Sequence, residues 1–170
     1  MKIKTVLVFG FFLMTSVASM AQEIANHAFG LRLGESDGFG ASFSYQKSIG
    51  RYNRLELDFG YQDSREFDAA KITALFQTVY SLDGIFNWYY GFGGGAGTAD
   101  FTPTLDPNGQ AFKPDGGLFV FAAGDIGVEA KLNMPLVISL DIRPEIGLLG
   151  YKSFDNKFNF DVGLGIRYQF

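Results

Sequence analysis

A chain of 170 residues with no cysteine, one histidine and a net charge of −4 has room for one domain but for no disulfide framework and no cysteine-ligated metal. The balance of 14 Lys+Arg against 18 Asp+Glu argues against a nucleic-acid partner. The 19 Phe, 8 Tyr and 22 Gly then have to be accommodated without covalent staples.

Residues 1–21 are laid out as a secretory signal. Lys2 and Lys4 are followed by an apolar run from Val6 to Val17, interrupted by Gly10, Thr15 and Ser16, and then by Ser19-Met20-Ala21 as a small-x-small cleavage site. That run is shorter than the roughly 18–20 residues a spanning helix needs. The expected mature chain is therefore 22–170, a single domain beginning at Gln22. With no cysteine at the cleavage point, a lipoprotein anchor is not expected.

The remaining sequence repeats one pattern: about ten residues of apolar–polar alternation, then turn residues. It predicts about eight strands, near 24–34, 39–47, 53–62, 69–82, 85–97, 116–132, 136–149 and 158–170. Leu55, Leu57, Phe59 and Tyr61 alternate with Glu56, Asp58, Gly60 and Gln62. Phe86, Trp88, Tyr90 and Phe92 alternate with Asn87, Tyr89, Gly91 and Gly93. Ile138, Leu140, Ile142 and Ile146 oppose Ser139, Asp141, Arg143 and Glu145. In the last segment Phe158, Phe160, Val162, Leu164, Ile166, Tyr168 and Phe170 share one face, and Asn159, Asp161, Gly163, Gly165, Arg167 and Gln169 the other. A helix would spread such a pattern around its surface, whereas a strand separates it into two faces. The connections at Ser48–Tyr52, Asp83-Gly84 and Asn133–Pro135 are short. Those at Asp63–Asp68, Thr98–Asp115 and Gly150–Lys157 are longer, with the tight turn Glu35–Gly38 as the exception. Short turns at one rim and longer loops at the other are the outer-membrane barrel arrangement.

Alternation alone does not say which face is outside, and a soluble lipocalin-like barrel has the same period. An eight-stranded lumen is only wide enough for side chains or one small ligand, so this many large apolar residues have to cover the exterior. The opposite face carries small residues suited to a tight interior: Gly30, Gly40, Ser42, Ser44, Gly60, Gly91, Gly93, Gly127, Gly163 and Gly165. On that assignment the strand charges Arg32, Glu56, Asp58, Lys71, Asp125, Glu129, Lys131, Asp141, Arg143, Glu145, Asp161 and Arg167 point inward, with Glu23 and Lys47 as exceptions at strand ends. Tyr45, Tyr61, Tyr80, Trp88, Tyr90 and Tyr168 take the outward phase, as interfacial aromatics require. The fold class expected is all-β, a transmembrane antiparallel up-and-down barrel.

On the Ala21-Gln22 junction, the Asn87-Trp88-Tyr89-Tyr90-Gly91 strand and the final strand, the sequence resembles the small outer-membrane β-barrel proteins of the OmpX and OmpA-barrel type, closest to those of Bacteroidetes-type bacteria. The resemblance spans the whole mature chain. It implies residence in the bacterial outer membrane and assembly by the barrel-assembly machinery, with Leu164, Ile166, Tyr168 and Phe170 as the assembly signal. It implies nothing about activity.

His27 is the one histidine on which a lipid-trimming barrel enzyme would depend. Its place at the start of the first strand is opposite the rim where lipid A lies, so a structural role is expected. The inward charges could form an ion pathway, but salt bridges filling a narrow lumen are the simpler reading, since a buried ion needs a partner. Gly91-Phe92-Gly93-Gly94-Gly95-Ala96-Gly97 lacks the helix and following Lys-Ser/Thr of a phosphate loop. Asp100, Asp106, Asn108 and Asp115 could hold Ca²⁺, yet Asp106–Gly109 reads as a β-turn and EF-hand spacing is absent. No cofactor is expected. The reading reached is a non-enzymatic, monomeric outer-membrane barrel surrounded by lipid, with a structural, envelope-integrity or surface-interaction role. Any extracellular partner would be met through loops, with Phe101, Leu105 and Phe112 of the longest one as candidate contacts. A lipid-modifying enzyme and a narrow transport channel are the alternatives.

Overall fold

The computed structural model describes residues 24–36, 39–63, 67–105, 111–112, 116–150 and 158–170; the expected signal segment 1–21 lies outside them. The strands are β1 (His27–Ser36), β2 (Phe39–Ser48), β3 (Asn53–Asp63), β4 (Phe67–Ser81), β5 (Phe86–Phe101), β6 (Thr104–Leu105), β7 (Ala111–Phe112), β8 (Gly117–Lys131), β9 (Leu136–Leu149) and β10 (Phe158–Gln169). Eight of them close into one antiparallel barrel in which chain neighbours pair, β5 pairs with β8, and β1 closes on β10. β6 and β7 form a separate ribbon in the β5–β8 connection. The eight predicted strands all form, and the alternation is visible in burial: along β3 and β10, buried and exposed residues take strict turns over most of their length.

The ends of the strands depart from expectation in two places. β1 begins at His27 rather than 24, because Ile24 turns into the barrel mouth and packs on Val79 and Tyr89. On the other side, β4 begins at Phe67 and β5 continues to Phe101, in unbroken register from Phe67↔Phe101 to Ser81↔Asn87. Part of the predicted loop is therefore strand. β4, β5, β8 and β9 have 14 to 16 residues each, and β1, β2 and β3 have 10 or 11, so the wall is taller on one side. The extra length lies at the rim of the longer connections (the loop rim), opposite the turn rim formed by 49–52, 82–85 and 132–135. At the turn rim, Gly84 takes a φ of +59°, a left-handed conformation that glycine adopts without a steric penalty.

Pro144 sits in mid-strand on the outward face and has no N–H to give. The β8–β9 ladder accordingly passes from Ala123↔Glu145 to Ile126↔Ile142, while β9–β10 pairing runs on through Phe160↔Pro144.

The barrel is apolar outside and polar inside. Exposed residues include Leu31, Phe43, Phe59, Phe92, Ile126, Leu140, Val162 and Ile166, whereas the buried set is led by charged and amide side chains. Tyr80, Trp88 and Tyr90 stack on one another outside the β4–β5 hairpin, with Tyr80 and Trp88 centroids 5.1 Å apart. Tyr61 and Tyr168 also face outward and are exposed. A water-soluble protein would have to hydrate this apolar belt; a bilayer solvates it, and the closed sheet leaves no backbone edge in hydrocarbon.

Leu164 lies mid-strand in this belt, beside Leu33 and Leu140. Leu164→Arg is expected to destabilise the folded barrel by about 2–4 kcal/mol, while Asn159→Asp, at the inward-facing loop rim, leaves it nearly unchanged. The check is urea unfolding in lipid vesicles, read as the gel band that shifts on boiling.

Candidate functional site

Every charge predicted to point inward does so, and each is buried except Lys131, which is half-buried at the turn-rim end of β8. The strand period places them on the inner wall, and the narrow lumen brings charges from opposite walls into contact. Near the turn rim, Arg54 Nη1 donates to Glu129 at 2.6 Å and its Nε to Gln77 Oε1 at 2.6 Å, with the guanidinium 4.7 Å over the Tyr89 ring. Asn87 adds a 3.0 Å bond to Glu129. Arg54 was absent from the set of inward charges read from the sequence, although its position two residues before Glu56 gives it the same phase.

At mid-height Arg143 is the hub. Its Nη2 donates to Glu56 and its Nη1 to Asp58, both at 2.7 Å, and its Nε lies 3.6 Å from Asp125. Glu56 also accepts from Arg167 at 3.1 Å and Gln46 at 2.5 Å. Arg167 continues to Ser44 and Ser139, both at 2.8 Å. Toward the loop rim, Arg32 bridges Asp141 and Asp161, the latter at 2.5 Å, and Lys71 donates to Glu145 at 2.6 Å. Charges from β1, β3, β4, β8, β9 and β10 are thus joined across the lumen.

The inward small residues make room for these side chains. A Cβ at Gly163 would stand closer than 3 Å to the Arg32 guanidinium, one at Gly165 to that of Arg167, and one at Gly127 to the Tyr89 ring. Gly95 and Gly97 are occupied in the same way by Phe121 and Phe119. These two rings correct the expectation that aromatics belong outside. With Ala69, Leu75, Ala99 and Ala123 they form an apolar cluster inside the taller wall, and Lys71 lies 4.5 Å over the Phe121 ring. Among the described residues, a cavity on the loop-rim side of the Arg143 hub has a volume of about 30 Å³ and is lined by Asp58, Lys71, Arg143, Glu145 and others, room for no more than a few waters.

The other candidates separate. His27 sits at the turn rim, its Nδ1 2.7 Å from the Tyr45 hydroxyl and its ring stacked on Phe170 at 5.5 Å. No Ser or carboxylate is among the partners these contacts give it. Leu164, Ile166, Tyr168 and Phe170 all point outward and are exposed. Of the loop contacts, Phe101 is half-buried against the inner apolar cluster, because residues 97, 99 and 101 of β5 share the inward phase. Phe112 is exposed in β7 and Leu105 belongs to β6. Asp106, Asn108 and Asp115 lie outside the described residues, and Asp100 is exposed on β5.

No protein family matches the chain in sequence, and no curated protein does. Its fold does match solved structures. The N-terminal β-barrel domain of Pseudomonas aeruginosa OprF superposes with a TM-score of 0.63 at 11% identity, covering 88% of this chain and all of that one. A de novo designed transmembrane β-barrel gives 0.57 at 12% identity, over 89% and 100%. Ail, the attachment invasion locus protein of Yersinia pestis, gives 0.54 at 16% identity, over 88% and 99%. The fold is that of the eight-stranded OmpA and OmpX-type outer-membrane barrels.

Replacing Arg143 with Met leaves Glu56 and Asp58 with one cation fewer in a buried site. Loss of one partner of a buried pair costs about 3–5 kcal/mol. Urea unfolding in vesicles is expected to show a loss of that size for Arg143→Met, and partial recovery when Glu56→Gln and Asp58→Asn are added.

Proposed function

We propose that this protein is a non-enzymatic scaffold of the bacterial outer membrane: a rigid, sealed barrel that presents its loop-rim connections outside the cell for envelope integrity or surface contact. The observation that carries the reading is the filled lumen. Arg32, Arg54, Lys71, Arg143 and Arg167 engage carboxylates of other strands inside the lumen, and the cavity among them is small, about 30 Å³. A wall that faces lipid on one side and a packed core on the other leaves recognition to the loops. The taller wall carries β5 and β8 beyond the ends of the shorter strands, and their connection contains the β6–β7 ribbon with exposed Phe112. Ail is named for attachment and invasion, which is contact of this kind.

In this reading the short connections are periplasmic, as in outer-membrane barrels generally. Tyr168 and Phe170, outward at the end of β10, are what the assembly machinery reads. A channel is disfavoured by the plugged lumen, and a lipid-modifying enzyme by the distance of His27 from the loop rim.

An epitope inserted after Gly109 is expected to bind antibody on intact cells, and one after Gly84 only after permeabilisation; reversed accessibility would invert the topology. Purified protein in planar bilayers is expected to give no stable conductance steps, and reproducible steps would replace the scaffold with a pore.

A further inference from the structure

On the outer face of β1–β4 the apolar belt is not smooth. A hollow of about 210 Å³ opens between the side chains of Phe43 and Tyr45 on β2 and Leu57 and Phe59 on β3, with Phe29 and Ile72 at its two sides. Register explains its shape. Tyr45 pairs with Leu57 and Phe43 with Phe59, so four large outward side chains stand at the corners of a square. The centre of that square is the Ser44↔Asp58 pair, whose buried side chains point the other way, into the lumen. Phe29, Phe43, Leu57, Phe59 and Ile72 are between 44% and 59% exposed, so the hollow opens onto the bilayer and is continuous with the lipid-facing belt.

One step toward the turn rim the chemistry changes from apolar to cationic. The Tyr45 hydroxyl, at the edge of the hollow, is hydrogen-bonded to His27. Lys47 lies two residues further along the same face of β2, about 7 Å of strand, and is the direct register partner of His27. Lys47 is exposed. Among the described side chains of the barrel strands, the other outward charges are the acids Asp63, Asp68 and Asp100, all at the loop rim. A cation, a hydroxyl and an imidazole at interfacial depth beside an apolar hollow match the two halves of a phospholipid. An ammonium attracts a phosphodiester as a point charge, and the hollow takes methylene groups that would otherwise leave a packing defect against the wall.

We propose that Lys47, Tyr45 and His27, together with the hollow between Phe43, Phe59 and Leu57, form a binding site for one anionic phospholipid of the periplasmic leaflet, its phosphate against Lys47 and one acyl chain in the hollow. The site rests on the membrane placement and topology proposed above. The stacking of His27 on Phe170 adds a structural consequence, because the lipid headgroup then sits where β1 closes on β10.

The test is native mass spectrometry of the folded barrel in mild detergent, with added phosphatidylglycerol or phosphatidylcholine of the same acyl chains. The wild-type protein is expected to retain one phosphatidylglycerol at least fivefold better than phosphatidylcholine. Lys47→Gln is expected to abolish that preference. Leu57→Trp, which fills the hollow, is expected to lower retention of both lipids at least fivefold, and Leu57→Phe makes the same test with a smaller ring if the tryptophan variant does not fold. Equal retention of the two lipids by the wild type, an adduct indifferent to either kind of substitution, or no adduct above random detergent–lipid exchange would overturn the site. Absence of a heat-shifted band for the wild-type chain is a separate result that would count against the barrel itself.

Discussion

Hydrocarbon offers no hydrogen bonds, and the structure follows from that constraint. A sheet in a bilayer has to pair every N–H and C=O internally, so its edges have to meet, as β1 does with β10 through His27 and Phe170 as well as the ladder proper. Closing with eight strands fixes the diameter, and the diameter leaves no water-filled interior. The charged residues of the strands are then confined between a lipid face they cannot occupy and a lumen too narrow to hydrate them. Pairing across the lumen is the arrangement left to them. Arg143 touching Glu56 and Asp58 from the opposite wall is a consequence of closure as much as a support for it.

The same narrowness governs the neutral residues. Long inward side chains cannot all cross at one level, and the glycines beside them, on the same or the adjacent strand, provide the space. Arg32 lies over Gly163, Arg167 over Gly165 and Tyr89 over Gly127. Near the loop rim Phe119 and Phe121 fill the spaces above Gly97 and Gly95 and replace ion pairs by apolar packing. The lumen thus passes from a salt-bridged core to an apolar lining at the mouth. This gives the taller wall a packed backing as it rises toward the loops, and such backing is what a rigid presenting surface requires.

Most of the fold was legible because one face of each strand is bound to lipid and the other to a packed interior, so the two-residue period is imposed without relief. Residues 158–170 show it most fully, and there the expected and observed faces agree throughout. Legibility failed where that pressure changes. Near the loop rim Phe119, Phe121 and Phe101 follow the inward phase, but their chemistry suggests the outside, and only the register with Gly97 and Gly95 reveals the space they fill. The continuation of β5 to Phe101 was hidden by Thr98 and Asp100, polar residues on the outward face above the apolar belt. Ile24 looked like strand because it is apolar, whereas it serves to fill the turn-rim mouth beside Tyr89. Of the lumen network, the members could be read from phase and charge, including Arg54, whose phase was available. Their partners could not, since pairing depends on which strands face each other across the barrel.

The central claim is an inside-out protein with a sealed core, and spin-label accessibility along β9 tests both halves at once. With single labels placed at successive positions from Val137 to Ile142 in vesicles, collision with lipid-soluble oxygen is expected to be high at 138, 140 and 142. It is expected to be near zero for both oxygen and a water-soluble nickel complex at 137, 139 and 141. Nickel access at 139 and 141 would mean an open aqueous lumen, and nickel access at 138, 140 and 142 would mean that the apolar belt does not face lipid; either result would contradict the account.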